Sequence, residues 1–406
     1  MPPSRAMPPL PFGGASSRRT NTRGGGRGRS KDVPSCNGRG LLMIRTVGMV
    51  ARVWIAIASC LVMASQAPAQ GARGAGAFDH VIVISVDGLR SDALLMLTPR
   101  QAPALHTLMA ASSTLNARTD PDYTITLPNH TAMLTGRPTL GERGHGWTDN
   151  DDPPTGENLH TRKGEYVASV FDVAAAAGVR TGLVANKSKF ILYARSWGET
   201  DGDESEPPSR ASESRNTLEH YSRSKTIEGV CDDALAFLAR HAGERSLLFV
   251  HFSHTDSVGH DHGWDMTEGS PYLRSVRETD GQVARLLDAA RTLDGLAGRT
   301  AIILTADHGG GAPFKSHLRA HMWINYVIPF FVWTGDDAPR ADLYELNADT
   351  RRDPGLARPD AGVDPQPIRN GDAANLALSL LGQPAVPGSV YGADHGLRVA
   401  LPAAGR

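Results

Sequence analysis

Three apolar runs in this chain end directly in acidic and imidazole side chains. Residues 81–86 run into Asp87-Gly88, residues 247–252 lead to Asp256-Ser257-Val258-Gly259-His260, and residues 301–304 lead to Asp307-His308-Gly309. Each piece alone has an ordinary reading: a turn, a helical ion pair at four-residue spacing, a cap beside a surface imidazole. Their joint occurrence after three strand-like runs asks for more. In an open parallel sheet, ligands bind beyond the carboxyl ends of the strands. That rule brings Asp87, Asp256, His260, Asp307 and His308 to one edge. Carboxylates crowded there repel one another unless cations neutralise them. A mixed Asp and His donor set suits zinc, with other transition ions open.

A fourth segment offers a nucleophile. Thr126-Leu127-Pro128-Asn129-His130 precedes a short apolar stretch, residues 131–134, with helical character. Pro128 fits a first helical turn, where a missing N–H costs nothing. Thr126 is then expected at a helix N-terminus, where backbone N–H groups and the dipole favour a phosphate. A hydroxyl is a weak nucleophile, and metal coordination activates it. Read alone, Thr126 is equally well a plain N-cap.

These groups need a scaffold, and the pattern around them supplies one. Residues 81–86, 181–184, 247–252, 301–304 and 329–333 read as strands. Residues 104–115, 167–177, 225–241, 373–381 and a long segment from Leu273 to Ala290 read as helices, with Asp372 a cap for the last helical stretch. Strands alternating with helices predict an α/β fold with a mostly parallel central sheet and helices on both faces. Cys231 falls within the helical pattern of residues 225–241 and reads as core. Two polar stretches, 199–216 and 341–364, read as a surface insertion and a long loop. Neither divides the chain, so residues 78–400 are expected to form one catalytic domain.

Taken in order, Asp87-Gly88, Thr126-Leu127-Pro128-Asn129-His130, His145-Gly146 with Asn150, Asp256-Ser257-Val258-Gly259-His260 and Asp307-His308-Gly309 resemble the nucleotide pyrophosphatase/phosphodiesterase branch of the alkaline phosphatase superfamily. The resemblance runs from about Phe78 to Val399. It implies an alkaline phosphatase-like fold and two divalent metal ions, zinc foremost. One ion would be held by Asp87, Asp307 and His308 and would also contact Thr126. The other would be held by Asp256, His260 and a later histidine, for which His317 is preferred and His321 is the alternative. Asn150 is implied as the donor to a phosphoryl oxygen, together with the Leu127 N–H. His130 is expected to support the nucleophile segment, and His262 and Trp264 to shape the cleft. Lys187 and Lys189 could face an anionic substrate, and Phe190, Tyr193 and Trp197 could form an aromatic slot for a nucleotide. His395 has no assigned role.

The implied activity is a metal-dependent phosphodiesterase, acting through a phospho-threonine on a small phosphate ester, with nucleotides among the candidates. Phosphomonoester and phosphonate hydrolysis at the same site stay open. A sulfatase would need a modifiable Cys or Ser in a Cys/Ser-x-Pro-x-Arg context. Cys231 is followed by Asp232-Asp233, which does not provide it. An exported metal-binding protein without turnover would share the ligands but would have no need of Thr126.

Composition bounds the setting. With 42 Lys+Arg against 43 Asp+Glu in 406 residues, no basic field argues for a nucleic-acid polymer or an anionic membrane. Residues 1–42 are rich in Arg, Gly, Pro and Ser and read as a disordered or mis-started leader. Residues 43–69 read as a signal peptide, with Arg45 and Arg52 before an apolar stretch and Ala67-Pro68-Ala69 at the cleavage end. An uncleaved anchor and a lipoprotein signal at Cys60 are the alternatives. Cleavage implies a periplasmic or secreted protein without stable membrane association. It would leave Cys231 as the sole cysteine, so no internal disulfide could form.

Overall fold

The computed structural model describes residues 77–198 and 216–402. The leader, the export segment and residues 199–215 of the polar insertion lie outside the described residues. Eight strands form a single sheet: β1 (His80–Val86), β2 (Ser112–Arg118), β3 (Arg180–Ala185), β4 (His220–Arg223), β5 (Ser246–Phe252), β6 (Thr300–Thr305), β7 (Val327–Trp333) and β8 (Ala341–Asp342). Their order is β4-β3-β5-β1-β6-β7-β2-β8. The stretch from β4 to β6 is parallel, β7 runs antiparallel to β6 and to β2, and β8 lies parallel to β2.

The central strands are apolar throughout because both faces are covered. Every residue of β1, β5, β6 and β7 is buried, as expected of a sheet between two helical layers. The helices Pro103–Met109, Ile227–Arg240, His254–His262 and Pro271–Thr292 pack on one another as one group. Thr126–Thr135, Val170–Ala176 and Asp372–Leu380 form a second group. Cys231 is buried and free. Among the described residues no helix is long and apolar enough to cross a membrane.

Register decides where the chemistry lands. In the β1–β5 pair Val86 faces Phe252, and in the β1–β6 pair Ser85 faces Thr305. The carboxyl ends of β5, β1 and β6 are therefore level, and the loops that follow them emerge side by side. Ladder bonding continues one residue past β1, where the Asp87 N–H donates to the Phe252 carbonyl at 2.9 Å.

Two local expectations change. The helix expected over residues 104–115 stops at Met109, and Ser112–Arg118 forms β2 instead. Pairing with β7 satisfies the backbone of that segment and overrides its local helical pattern. Asp372 is the first residue of its helix and not the cap. Its carboxylate accepts from the Arg369 N–H and the Arg351 guanidinium at 2.8 and 2.9 Å. The polar stretch from residue 341 opens with β8 and a one-turn helix, Leu343–Leu346.

Candidate active site

Asp87 sits in the tight turn after β1. Gly88 turns the chain with φ of 70°, and a Cβ there would lie 3.0 Å from both Asp256 Cα and Cβ. The turn is fixed through the Gly88 carbonyl, which accepts from Trp264 Nε1 and Tyr272 OH, both at 2.9 Å. Thr255 also donates to the Asp87 carbonyl. The buried Trp264 thus braces the Asp87 turn, while His262 is exposed.

Two groups of side chains have ligating atoms close enough to share a cation: Asp87, Asp307 and His308, and Asp256, His260 and His317. These are the two sets that the sequence suggested. His317 is buried, whereas His321 is exposed and belongs to neither group. Asp256 and His260 both project from the helix His254–His262, four residues apart.

The bonding of these side chains points their acceptor atoms inward. His308 Nδ1–H donates to the Gly309 carbonyl at 2.8 Å, which leaves Nε2 as a lone pair 3.1 Å from Asp307 Oδ2. His260 Nδ1–H donates to the Lys315 carbonyl at 3.0 Å, and His317 Nδ1–H donates to the Thr124 carbonyl. Their Nε2 atoms then face each other at 3.2 Å as two lone pairs. Asp87 Oδ1, Asp256 Oδ1, Asp307 Oδ2 and His308 Nε2 are buried without a hydrogen-bond partner. Buried acceptors left facing one another are costly. A divalent cation in each group would satisfy them, so the residues present fit two such ions.

The electrostatics agree. Burial lifts the Asp307 carboxyl well above the usual range, and the neighbouring Asp87 and Asp256 charges add to it. Burial acts in the same direction on Asp87, but the Lys187 ammonium and the His251 hydrogen bond hold that carboxyl well below its usual range. Burial lowers His317 to about 3, with His308 adding to the effect. It lowers His308 as well. Both rings are therefore neutral and able to ligate near neutral pH.

Thr126 is the first residue of the helix Thr126–Thr135 and is buried. His130 supports it from one turn on, as Nδ1–H donates to the Thr126 carbonyl while Nε2 accepts from Ser85, both at 2.8 Å. Asn129 braces the preceding loop through the carbonyls of Tyr123 and Ile125, each at 3.0 Å. Thr126 opens onto a cavity of about 400 Å³, also lined by Asn150, Lys187, Lys189, Asp256, Ser257, His260, Asp261 and His317.

Two expectations are corrected here. The Leu127 N–H is not free for a phosphoryl oxygen, because it donates to Asn150 Oδ1 at 3.0 Å. It orients Asn150, whose amide NH₂ is the remaining donor. Phe190, Tyr193 and Trp197 form no aromatic slot. All three are fully buried, with Tyr193 stacked on Trp197 and Phe190 stacked on His251.

Several contributors were invisible as such in the sequence. His251, inside β5, donates through Nε2 to Asp87 Oδ2 at 2.9 Å, while its Nδ1 accepts from the Asn186 N–H. Its signal was a polar residue within an otherwise apolar strand, which must be paired when buried. Asn370 donates to Asn129 Oδ1 at 2.9 Å from the far end of the chain, and nothing local announced it. Lys187 was noted only as a cation near substrate. Its ammonium lies 2.6 Å from Asp87 Oδ2 and 2.7 Å from Asp256 Oδ2, one carboxylate from each group, and 3.2 Å from Thr126 Oγ.

Comparison with known structures gives the class first. A 2-O GAG sulfatase aligns at 13% identity and TM-score 0.50, over 76% of this chain and 72% of its own. A protein in the alkaline phosphatase superfamily from Vibrio parahaemolyticus aligns at 13% identity and TM-score 0.45, over 76% and 68%. Murine ectonucleotide pyrophosphatase/phosphodiesterase 5 aligns at 20% identity and TM-score 0.36, over 56% and 57%. No curated protein matches the sequence. The fold is that of the alkaline phosphatase superfamily. Residues 81–326 match the family model for type I phosphodiesterase/nucleotide pyrophosphatase, and the chain belongs to that family. Membership of that family makes the chain a hydrolase by class.

Proposed function

We propose that the protein is a metal-dependent phosphoric ester hydrolase of the type I phosphodiesterase family, working through a phospho-threonine at Thr126. One observation carries this reading: four orphaned buried acceptor atoms and two opposed imidazole lone pairs lie in the two ligand groups around the cavity onto which the Thr126 hydroxyl opens from a helix N-terminus. Asp87, Asp307 and His308 would hold one divalent ion, next to Thr126 Oγ, and Asp256, His260 and His317 the other. Zinc suits this donor set best. Bound there, the two ions would supply Lewis acidity to the attacking and leaving oxygens.

The chain's own groups account for the rest. Thr126 Oγ attacks phosphorus, the ester P–O bond breaks, and the leaving oxygen takes up a proton. Water then attacks the phospho-threonine, the Thr126 Oγ–P bond breaks, and Thr126 regains its proton; a diester leaves as a phosphomonoester and a monoester as inorganic phosphate. The helix N-terminus favours the negative charge on the phosphoryl group. Asn150, held by Leu127, offers its NH₂ to an equatorial oxygen, where a donor already in place stabilises charge as it builds. The Thr126-Leu127-Pro128-Asn129-His130 segment supports phosphoryl over sulfuryl transfer, since it lacks a modifiable Cys or Ser at the nucleophile position.

The setting follows from the sequence reading. We propose export through residues 43–69 to the periplasm or outside the cell, with residues 78–400 as the working domain and a small phosphate ester as substrate. The test is Thr126→Ala. The variant is expected to keep its fold and its two equivalents of zinc while losing at least about 1,000-fold in turnover of p-nitrophenyl esters. Near-normal rates in that variant would remove Thr126 from the mechanism. Chelation is expected to inactivate the wild type, and added zinc to restore it.

A further inference from the structure

The hydrolase reading leaves open which ester the site takes, and the lysines beside Thr126 bear on it. Lys187 and Lys189 leave the carboxyl end of β3 and both line the cavity. The segment that carries them is held rigidly. Asn186 Oδ1 accepts from the Ser253 N–H at 3.0 Å, Ser188 donates to Asp152 at 2.8 Å, and Phe190 is buried against His251. Lys189 donates to the Asn150 carbonyl, next to the one side-chain amide in the cavity. Lys187 is pinned by one carboxylate oxygen from each metal group.

The placement of Lys187 is specific. A phosphorus bonded to Thr126 Oγ carries its other oxygens about 2.5 Å from that atom, as tetrahedral geometry requires. An ammonium 3.2 Å from Thr126 Oγ is close enough for an oxygen on its side of the phosphorus to come within hydrogen-bond reach. Asn150 offers a donor to another. A diester brings a single negative charge and two non-bridging oxygens, and its second ester arm would have to occupy a third position. A monoester brings two negative charges and three non-bridging oxygens. Among the described residues lining the cavity there is no Phe, Tyr or Trp ring to receive a nucleobase, and the three candidates of that kind are in the core.

We propose that Lys187, assisted by the field of Lys189, selects substrates with a terminal dianionic phosphoryl group, making this family member a phosphomonoesterase by preference. The proposal rests on the hydrolase reading above and names the substrate class for the same site. Lys187 occupies the place of the third non-bridging oxygen's partner, where a diester would put an apolar arm against a desolvated ammonium.

The experiment compares p-nitrophenyl phosphate with bis(p-nitrophenyl) phosphate on the zinc-loaded full chain, for the wild type, Lys187→Met, Lys187→Arg and Lys189→Met. Zinc content is measured for each. The wild type is expected to favour the monoester by at least tenfold in kcat/KM. Lys187→Met is expected to lose about 100-fold on the monoester and less than tenfold on the diester, the scale of one charge-assisted hydrogen bond. Lys187→Arg should recover part of the ratio, and Lys189→Met should show a smaller loss. A wild-type preference for the diester would overturn the proposal, as would equal losses on both esters in Lys187→Met. Inorganic phosphate binding by calorimetry separates this from failure of the hydrolase reading. If neither ester turns over, that reading falls, and phosphate affinity unchanged in Lys187→Met would then overturn the lysine assignment too.

Discussion

His317 and His321 are four residues apart, and only one of them has its ring nitrogen aimed at Asp256. His317 Nδ1 is tied to the Thr124 carbonyl, and Thr124 Oγ in turn donates to the His317 carbonyl, so the imidazole is clamped with Nε2 inward. The clamp fixes the ring's direction, while burial and the neighbouring His308 keep it neutral against the opposing pull of the Thr124 bond. His317→Ala is therefore expected to bind one equivalent of zinc fewer than the wild type by elemental analysis, and His321→Ala the full complement. The reverse pattern would reassign the ligand. Gly88 makes a sharper case. Its φ of 70° is strained for any L side chain, and the added Cβ would press on Asp256. Gly88→Ala should cost about 1–2 kcal/mol in urea denaturation and weaken binding of the ion held by Asp256. A variant with unchanged stability and zinc affinity would show that the turn relaxes freely.

Between the nucleophile helix and Asn150 runs a loop whose shape depends on a neutral histidine. The Trp147 N–H donates to His145 Nδ1 at 3.1 Å, so Nε2 carries the proton and faces the Pro128 carbonyl at 3.1 Å. A second proton would have to go onto Nδ1, against the Trp147 N–H. Burial lowers the group from 6.5 to about 3, outweighing the Pro128 hydrogen bond, which acts the other way. The unfolded chain takes up a proton near pH 6.5 and the folded chain only near pH 3, so unfolding binds a proton in that window. The stability from His145 is complete above the upper value and is lost as pH falls. The slope for one proton is about 1.4 kcal/mol per pH unit. Denaturation midpoints measured from pH 7 to pH 4 should show a shallower decline in His145→Gln than in the wild type. Parallel declines would mean that this loop does not govern acid sensitivity. Elements also show where local reading fails. Residues 112–115 read as the end of a helix, and they become part of a strand because β7 is there to pair with them.

At the scale of the molecule, three strand ends and a helix N-terminus meet at one edge of a single sheet, and three carboxylates are buried there with Lys187 between two of them. A cation that binds the folded state alone stabilises it by mass action, by about 2.7 kcal/mol at a free concentration 100 times Kd. EDTA should therefore lower Tm by several degrees, with zinc restoring it. A Tm indifferent to chelator would argue against metal in the assigned groups. The runs at 81–86, 247–252 and 301–304 announced their strands and the acidic residues after them, because an alternation of strand and helix with buried parallel strands is written in local hydrophobicity. Asp87, Thr126, Asp307 and His308 were legible because each stands at the boundary of an element, and Asp256 and His260 because their four-residue spacing puts both on one face of the short helix after β5. The sequence preferred His317 over His321 without fixing it, and it could not see His251 and Asn370 or place Lys187 between the carboxylates. Those outcomes depend on strand register and on side chains meeting across 60 to 240 residues of chain, contacts for which no local pattern exists.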